Sequence, residues 1–298
     1  MGYRLARLRD GVVEFHISGP SDVPGLLVIH VGSPSAATGY PALTAAAARR
    51  GMRTLIYSRP GYGRSSRTPG RSVADEAART LDLVDRLGYG EFLVGGWSGG
   101  GPAALACAAL LPKGRVRACA TFASWAPLLE VGDGWHAWYP EANARELDVL
   151  ATEGRAVLVP DYEVAAREFG RATPAWLSRF PGQTDAENRA LFGDAGLGVP
   201  LARSIRRALL NGIWGWFDDD VALATDWGFR VAEIEVPVVV RHGEDDRLVD
   251  VRHGRWLAAT IPDAHARIVP DRGHVSILDP FSQIVDELVT AAGGPLVS

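Results

Sequence analysis

The chain has 298 residues, 47% of them hydrophobic, and a formal net charge of -4. That length and apolar content suit one large α/β core carrying an insertion. The slightly acidic balance and the lack of any Lys/Arg run exclude the basic footprint of a nucleic-acid binder, so a small molecule is the expected partner. No apolar run approaches the roughly 20 residues of a membrane span, and Met1 to Ala6 is not followed by the apolar core of a secretion signal. Cys107 and Cys119, both in apolar stretches, are too few for a disulfide framework and suit a reducing cytoplasm.

Apolar residues alternate around Leu5 and Leu8 and again from Val12 to Ile17, with Arg9-Asp10-Gly11 between them, which predicts an antiparallel hairpin at the edge of a sheet. Leu26-Leu27-Val28-Ile29 is a continuous apolar run of the kind found in strands buried on both faces. It leads into the small-residue loop His30-Val31-Gly32-Ser33-Pro34-Ser35 and then an alanine-rich helix from Ala42 to Arg50. Arg53 to Tyr57 is the next strand, followed by Ser58-Arg59-Pro60-Gly61-Tyr62-Gly63-Arg64-Ser65. The Gly61-x-Gly63 pair lacks the third glycine and the following helix of a dinucleotide fingerprint, so no nucleotide cofactor is expected. A helix is predicted from Val73 to Leu87, with Ser72 as its N-cap and Gly88 as its stop.

Phe92-Leu93-Val94 is a strand, Gly96-Trp97-Ser98-Gly99-Gly100 a tight turn, and the Ala/Leu run from Ala103 a helix. In this setting Gly-x-Ser-x-Gly is a nucleophile elbow, which exposes the serine hydroxyl at the top of a strand-to-helix turn. Val116 to Phe122 is a further strand, and the alternation of strand and helix to this point predicts a mostly parallel, doubly wound sheet. From Trp125 to Trp227 helical segments follow one another without a buried strand of similar quality, so 125–227 is expected to be a helical insertion between core segments 1–124 and 228–298. Strands return at Val236 to Val240 and Ala266 to Val269, separated by a helix from Val251 to Ala259 and closed by one from Phe281 to Ala291.

A serine hydroxyl is a weak nucleophile unless a base takes its proton, and the usual base is a histidine oriented by a carboxylate. Asp246 and His274 each lie in a loop that follows a late strand. This gives the chain order serine, acid, histidine, and loops after strands converge at the carboxyl edge of an open sheet. The Gly243-x-x-Asp246-x-x-Val249 spacing selects Asp246 over Asp245. His242, at the end of a strand, reads as a hydrogen-bonded core residue. Asp218-Asp219-Asp220 reads as a helix start or solvated face, and no metal is expected.

These motifs together resemble the α/β-hydrolase superfamily from about Leu26 to the final helix, and within it capped hydrolases related to proline iminopeptidases. The resemblance implies that Ser98, His274 and Asp246 form a triad, and that the backbone N–H groups of Ser33 and Gly99 form the oxyanion hole. Such donors contribute on the order of 3 kcal/mol each. The family usually has histidine directly before the loop glycine; this chain has Val31 there and His30 one position earlier. Serine at the elbow sets the chain apart from epoxide hydrolases and haloalkane dehalogenases, which use aspartate.

Trp125, Trp135, Trp138, Trp176, Trp214, Trp216 and Trp227 fall in or beside the insertion. Most are expected to build the core of a small helical layer, whereas Trp97 and Trp125, beside site loops, are candidate pocket walls. The expected function is hydrolysis of an ester, thioester or amide of a small apolar molecule through an acyl-enzyme. An aminopeptidase is the first alternative, with Glu130, Asp133 or Glu141 as amine-binding carboxylates. A non-hydrolytic lyase, cyclase or ligand receptor is the second.

Overall fold

The computed structural model describes residues 2–180 and 182–296. Its eight strands are β1 (Arg4–Leu8), β2 (Gly11–Ser18), β3 (Gly25–His30), β4 (Met52–Tyr57), β5 (Phe92–Trp97), β6 (Val116–Phe122), β7 (Val238–Gly243) and β8 (Ala264–Val269). They form one sheet in the order β1-β2-β4-β3-β5-β6-β7-β8. The predicted hairpin pairs Leu8 with Gly11 and joins the sheet antiparallel to β4, while all pairs from β4 to β8 are parallel.

Side chains of the central strands alternate between two apolar layers, as a doubly covered sheet requires. Leu27 and Ile29 face a layer that includes α1 (Pro41–Ala48) and α12 (Phe281–Ala291). Leu26 and Val28 face the other, with α2 (Asp75–Arg86), α3 (Gly101–Leu110) and α11 (Val251–Thr260). The chain leaves β3 for β4 on one side and returns to β5 on the other. The loops after β3 and β5 therefore meet at the point where the strand order reverses, with His30 in register with Gly96.

Several boundaries differ from the sequence reading, among them the helix read from Ala42 to Arg50, which is Pro41–Ala48, and the last strand, which starts at Ala264; two of the shifts have a plain local cause. The helix predicted from Val73 starts at Asp75, and Ser72 is not its cap: the Asp75 carboxylate instead accepts the Ser72 N–H at 2.7 Å. Strand β7 starts at Val238 and reaches Gly243, because Pro237 has no N–H for the ladder and Gly243 must pass close to the Arg272 carbonyl, 2.3 Å from where a Cβ would sit.

Between β6 and β7 the described residues form the α-helices α4 (Leu128–Val131), α5 (Glu141–Leu150), α6 (Val159–Phe169), α7 (Pro174–Leu177), α8 (Asp185–Phe192), α9 (Gly198–Ala208) and α10 (Trp214–Ala224), with short 3-10 turns between some of them. They are held in two ways. Leu128, Trp135, Leu147, Leu150, Tyr162, Ile213 and Phe217 make a small core within the insertion. Leu177, Leu191, Leu201 and Ile205, from α7 to α9, instead join the main apolar layer. No helix among the described residues is long and apolar enough to cross a membrane.

Candidate active site

Strand β5 runs straight into the turn Ser98–Gly100 and then α3, with Ser98 at φ 55°. That left-handed conformation is costly for a residue with a side chain and persists only where packing enforces it. The enforcing contacts are glycines. A Cβ at Gly96 would lie 2.3 Å from the Gly100 carbonyl oxygen, and one at Gly100 would lie 2.3 Å from the His30 carbonyl oxygen. The first is the closure across the turn; the second is a close approach to the end of β3.

The loop after β3 lies against this turn. A Cβ at Gly99 would sit 2.6 Å from Ser33 Oγ and 3.4 Å from Ser33 N, and one at Gly32 would sit 3.0 Å from Ser98 Cβ. The structure thus brings the two expected oxyanion donors, Ser33 and Gly99, to the same spot beside Ser98. His30 is buried, stands edge-on to Tyr57, and is pushed down to about 3 by burial first and by the Arg59 charge second. It is a neutral packing residue.

His274 Nδ1 donates to Asp246 Oδ2 at 2.8 Å. Asp246 Oδ1 accepts the N–H groups of Leu248 and Val249 at 2.8 and 2.9 Å. Burial alone would raise the Asp246 pKa, but His274, in charge and hydrogen bond, and then His242 hold it well below the usual carboxylate range. Burial likewise works to lower His274, yet the Asp246 carboxylate outweighs it and, with a smaller push from Glu187, raises the imidazole above its ordinary 6.5. His242 Nε2 donates to the Val249 carbonyl at 2.8 Å and lies 3.5 Å from Asp246 Oδ2, so it braces the acid loop from inside the sheet. Trp97 packs against the His274 ring at 5.2 Å between centroids, and its Nε1 donates to the His274 carbonyl at 2.9 Å. Ser98 and His274 line one cavity without a hydrogen bond between them among the described residues. Such bonds tighten when a substrate seats.

The acidic triplet is not a solvated face. All three residues lie inside α10, and each carboxylate has a different task. Asp218 forks with Arg67 at 2.7 and 2.9 Å. Asp219, 4% exposed, accepts the Ser33 hydroxyl at 2.7 Å and pairs with Arg59 and Arg71. Arg59 in turn donates to the Val31 and Gly32 carbonyls and to Ser33 Oγ, so a buried ion network grips the loop that carries Ser33. Asp220 lines the cavity and accepts the Tyr162 hydroxyl at 2.8 Å. Burial pushes it up to about 8, with the neighbouring Asp219 and Glu146 carboxylates adding to the shift against the Tyr162 bond.

The cavity has a volume of about 360 Å³. Ser98, Gly99, Ser33, His274, Trp97 and Trp125 all reach its wall, whereas Asp246 stands behind His274. Of the seven tryptophans of the insertion only Trp125 and Trp216 reach it; Trp135, Trp138, Trp176, Trp214 and Trp227 pack elsewhere. Glu130, Asp133 and Glu141 do not line it; Glu130 faces Arg230 and Glu141 pairs with Arg145. The carboxylates that do line it are Glu146, Glu187 and Asp220. Glu146 and Glu187 carry no signal in the sequence, because their positions look like ordinary helix surface and Thr184-x-x-Glu187 has the pattern of a capping box at the start of α8, whereas Asp220 reads there only as part of the acidic triplet. His253 was passed over likewise: it accepts the Ala126 N–H at 3.1 Å, meets Tyr139 Oη at 2.7 Å and fixes the chain beside Trp125. Among the described residues no group of three or more His, Cys, Asp or Glu side chains is arranged to hold a metal ion.

The chain is 26% identical over 253 residues to the bifunctional esterase/perhydrolase DCH of Acinetobacter calcoaceticus, covering 84% of this chain and 83% of the relative. It is 22% identical over 273 residues to a non-heme haloperoxidase of Rhodococcus erythropolis, covering 89% and 90%. Among solved structures, a hydrolase from Pseudomonas aeruginosa PA01 superimposes with a TM-score of 0.67 at 24% identity and covers 98% of both chains. The model of the alpha/beta hydrolase fold family matches residues 25–281. With that match and the eight-stranded, mostly parallel sheet, the chain belongs to the alpha/beta hydrolase fold family.

Proposed function

We propose that this α/β-hydrolase-fold hydrolase is a serine hydrolase that cleaves an ester, thioester or amide of a small, mainly apolar molecule through an acyl-enzyme. The observation that carries this reading is the convergence on one cavity of a strained Ser98, the His274–Asp246 pair and the adjoining Ser33 and Gly99. With Nδ1–H committed to Asp246, the other His274 nitrogen is free to accept the Ser98 proton. Ser98 Oγ attacks the carbonyl carbon, the N–H groups of Ser33 and Gly99 hold the oxyanion, and His274 passes the proton to the leaving group. Water, deprotonated by the same imidazole, then releases the acid and restores Ser98.

The insertion is the cap of this site. Leu147, Leu150, Tyr162, Phe169, Leu201 and Trp216 form apolar walls over the reacting groups, which favours an apolar acyl or alkyl portion. The esterase activity named for the Acinetobacter relative agrees with this. A fluorophosphonate probe should label the peptide containing Ser98 and leave Ser98→Ala unmodified; a folded wild-type sample that takes up no label would overturn the mechanism.

Asp220 and Glu146, on the insertion side of the cavity, favour a second reading as an aminopeptidase. Asp220, protonated near neutral pH in the empty site, would ionise against an ammonium group. Turnover of aminoacyl anilides in preference to p-nitrophenyl acyl esters would select that reading.

A further inference from the structure

Glu187 is the third residue of α8 and only 2% exposed. Thr184 Oγ1 accepts the Glu187 N–H at 3.2 Å, as the first half of a capping box requires. The second half is missing, because the Glu187 carboxylate turns away from its own helix. It accepts the N–H of Val275 at 3.1 and 3.0 Å, the N–H of Ser276 at 3.0 Å and the Ser276 hydroxyl at 2.8 Å. Ser276 Oγ accepts the Gly273 N–H at 2.8 Å, and a Cβ on Gly273 would lie 2.5 Å from Glu187 Oε1. One carboxylate from the insertion therefore grips the backbone directly after His274, and through the Ser276 hydroxyl reaches the Gly273 N–H before it, 88 residues away in sequence from its nearest partner. No cation is in ion-pair contact with it among the described residues; N–H and O–H donors alone satisfy it.

We propose that Glu187 is a positioning residue for the base: it sets the backbone of the His274 loop, and through it the approach of the imidazole to Ser98, so that the insertion and not the sheet alone delivers the histidine. This rests on the serine hydrolase reading above. Strand β8 ends at Val269, so residues between it and His274 are loop; the Asp245 N–H ties that loop at the Arg272 carbonyl at 2.9 Å, and at the ring itself its fixed points include Glu187, Asp246 and the Trp97 indole. Removing one of them loosens the ring by a fraction of an ångström to an ångström, enough to cost about 10- to 100-fold in rate, and Glu187→Gln, close to the same shape, leaves the apolar walls of the cavity in place.

The carboxylate also acts on the ring's proton. The groups facing His274 and its loop are Asp246 with His242 behind it, Glu187 from α8, Arg247 across the cavity, and Asp271 and Arg272 on its own loop. Glu187 and Asp246 are the negative charges that favour the imidazolium. Neutralising Glu187 therefore moves the base to a lower pKa.

The test is Glu187→Gln with Ser276→Ala as the second variant, after wild-type Ser98 has been shown to take a fluorophosphonate label. Glu187→Gln is expected to lose 10- to 100-fold in kcat and in the labelling rate, with KM within about threefold of wild type. The acid limb of its kcat/KM profile should shift to lower pH. Ser276→Ala, which removes the hydroxyl bridge but leaves the charge, should lose kcat by less and keep the wild-type acid limb. Wild-type kcat and acid limb in a folded Glu187→Gln would overturn the proposal. Should Glu187→Gln not fold, Ser276→Ala decides: unchanged kcat and labelling overturn it, and a loss of kcat at constant KM supports it. Absence of label on wild-type Ser98 is the separate outcome that removes the underlying hydrolase reading.

Discussion

The elbow and the two loops that face it are held by different forces. Around Ser98 the constraint is steric and local: Gly96 faces the Gly100 carbonyl across the turn and Gly100 faces the end of β3, leaving the serine one conformation, at φ 55°. The loops carrying Ser33 and His274 also pass close contacts, at Gly32 and at Gly243, but they are gripped in addition by buried charge from the helical insertion. Asp219 on α10, with Arg59 and Arg71, fixes the Ser33 loop, and Glu187 on α8 fixes the His274 loop. A turn fixed by close contacts is rigid by exclusion of alternatives, whereas a loop fixed by hydrogen bonds to a buried carboxylate is rigid only while that carboxylate stays in place. The insertion in this protein therefore both walls the cavity and holds two of the loops that meet there, those of Ser33 and His274.

The contrast can be broken from either side. Ser98→Ala carries the largest expected effect, a loss of ester hydrolysis on the order of 10⁶-fold together with loss of fluorophosphonate labelling. Next is Asp246→Asn, which leaves the shape but favours the wrong imidazole tautomer and should lower kcat about 10⁴-fold in a p-nitrophenyl ester assay. Asp219→Asn removes the carboxylate charge that pairs buried Arg59 and Arg71 and should cost about 3 kcal/mol in urea unfolding, with a fall in kcat; an unchanged midpoint would show that the Ser33 loop is held by something else. Gly96→Ala brings a methyl against the Gly100 carbonyl and should cost about 1–3 kcal/mol in thermal melts. If it leaves both stability and activity intact, the steric account of the elbow is wrong.

The smallest effect is in the pH profile. In the proposed mechanism His274 must be neutral to accept the Ser98 proton, and its pKa is raised. The kcat/KM curve should therefore climb with pH through an apparent pKa above the ordinary 6.5. Asp246, held ionised throughout, adds no limb of its own in that range. An acid limb below 6.5 would mean that burial outweighs Asp246 at the imidazole.

Much of this was legible in the chain. The strands read correctly because burial on both faces writes itself as continuous apolar runs such as Leu26 to Ile29, and the elbow read correctly because each glycine's reason lies within a few residues of Ser98 or at the end of one neighbouring strand. The order of Ser98, Asp246 and His274 followed from loops that succeed strands. The acidic triplet failed for the opposite reason. Asp218, Asp219 and Asp220 take their meaning from Arg67, Arg59 with Arg71, and Tyr162, between 58 and 160 residues away, and no local pattern marks such pairings.

The sequence by itself determined the parallel sheet and the strained turn at Ser98, because short-range sterics and the period of apolar residues govern both, and its order of loops after strands put Ser98, Asp246 and His274 at one edge of that sheet. Only the tertiary structure decided which carboxylates hold the site. Glu187, which could have closed a capping box on its own helix, was turned instead onto the backbone around His274. A buried carboxylate takes whatever donors the packed chain presents to it, and those donors exist only once the insertion has docked on the sheet.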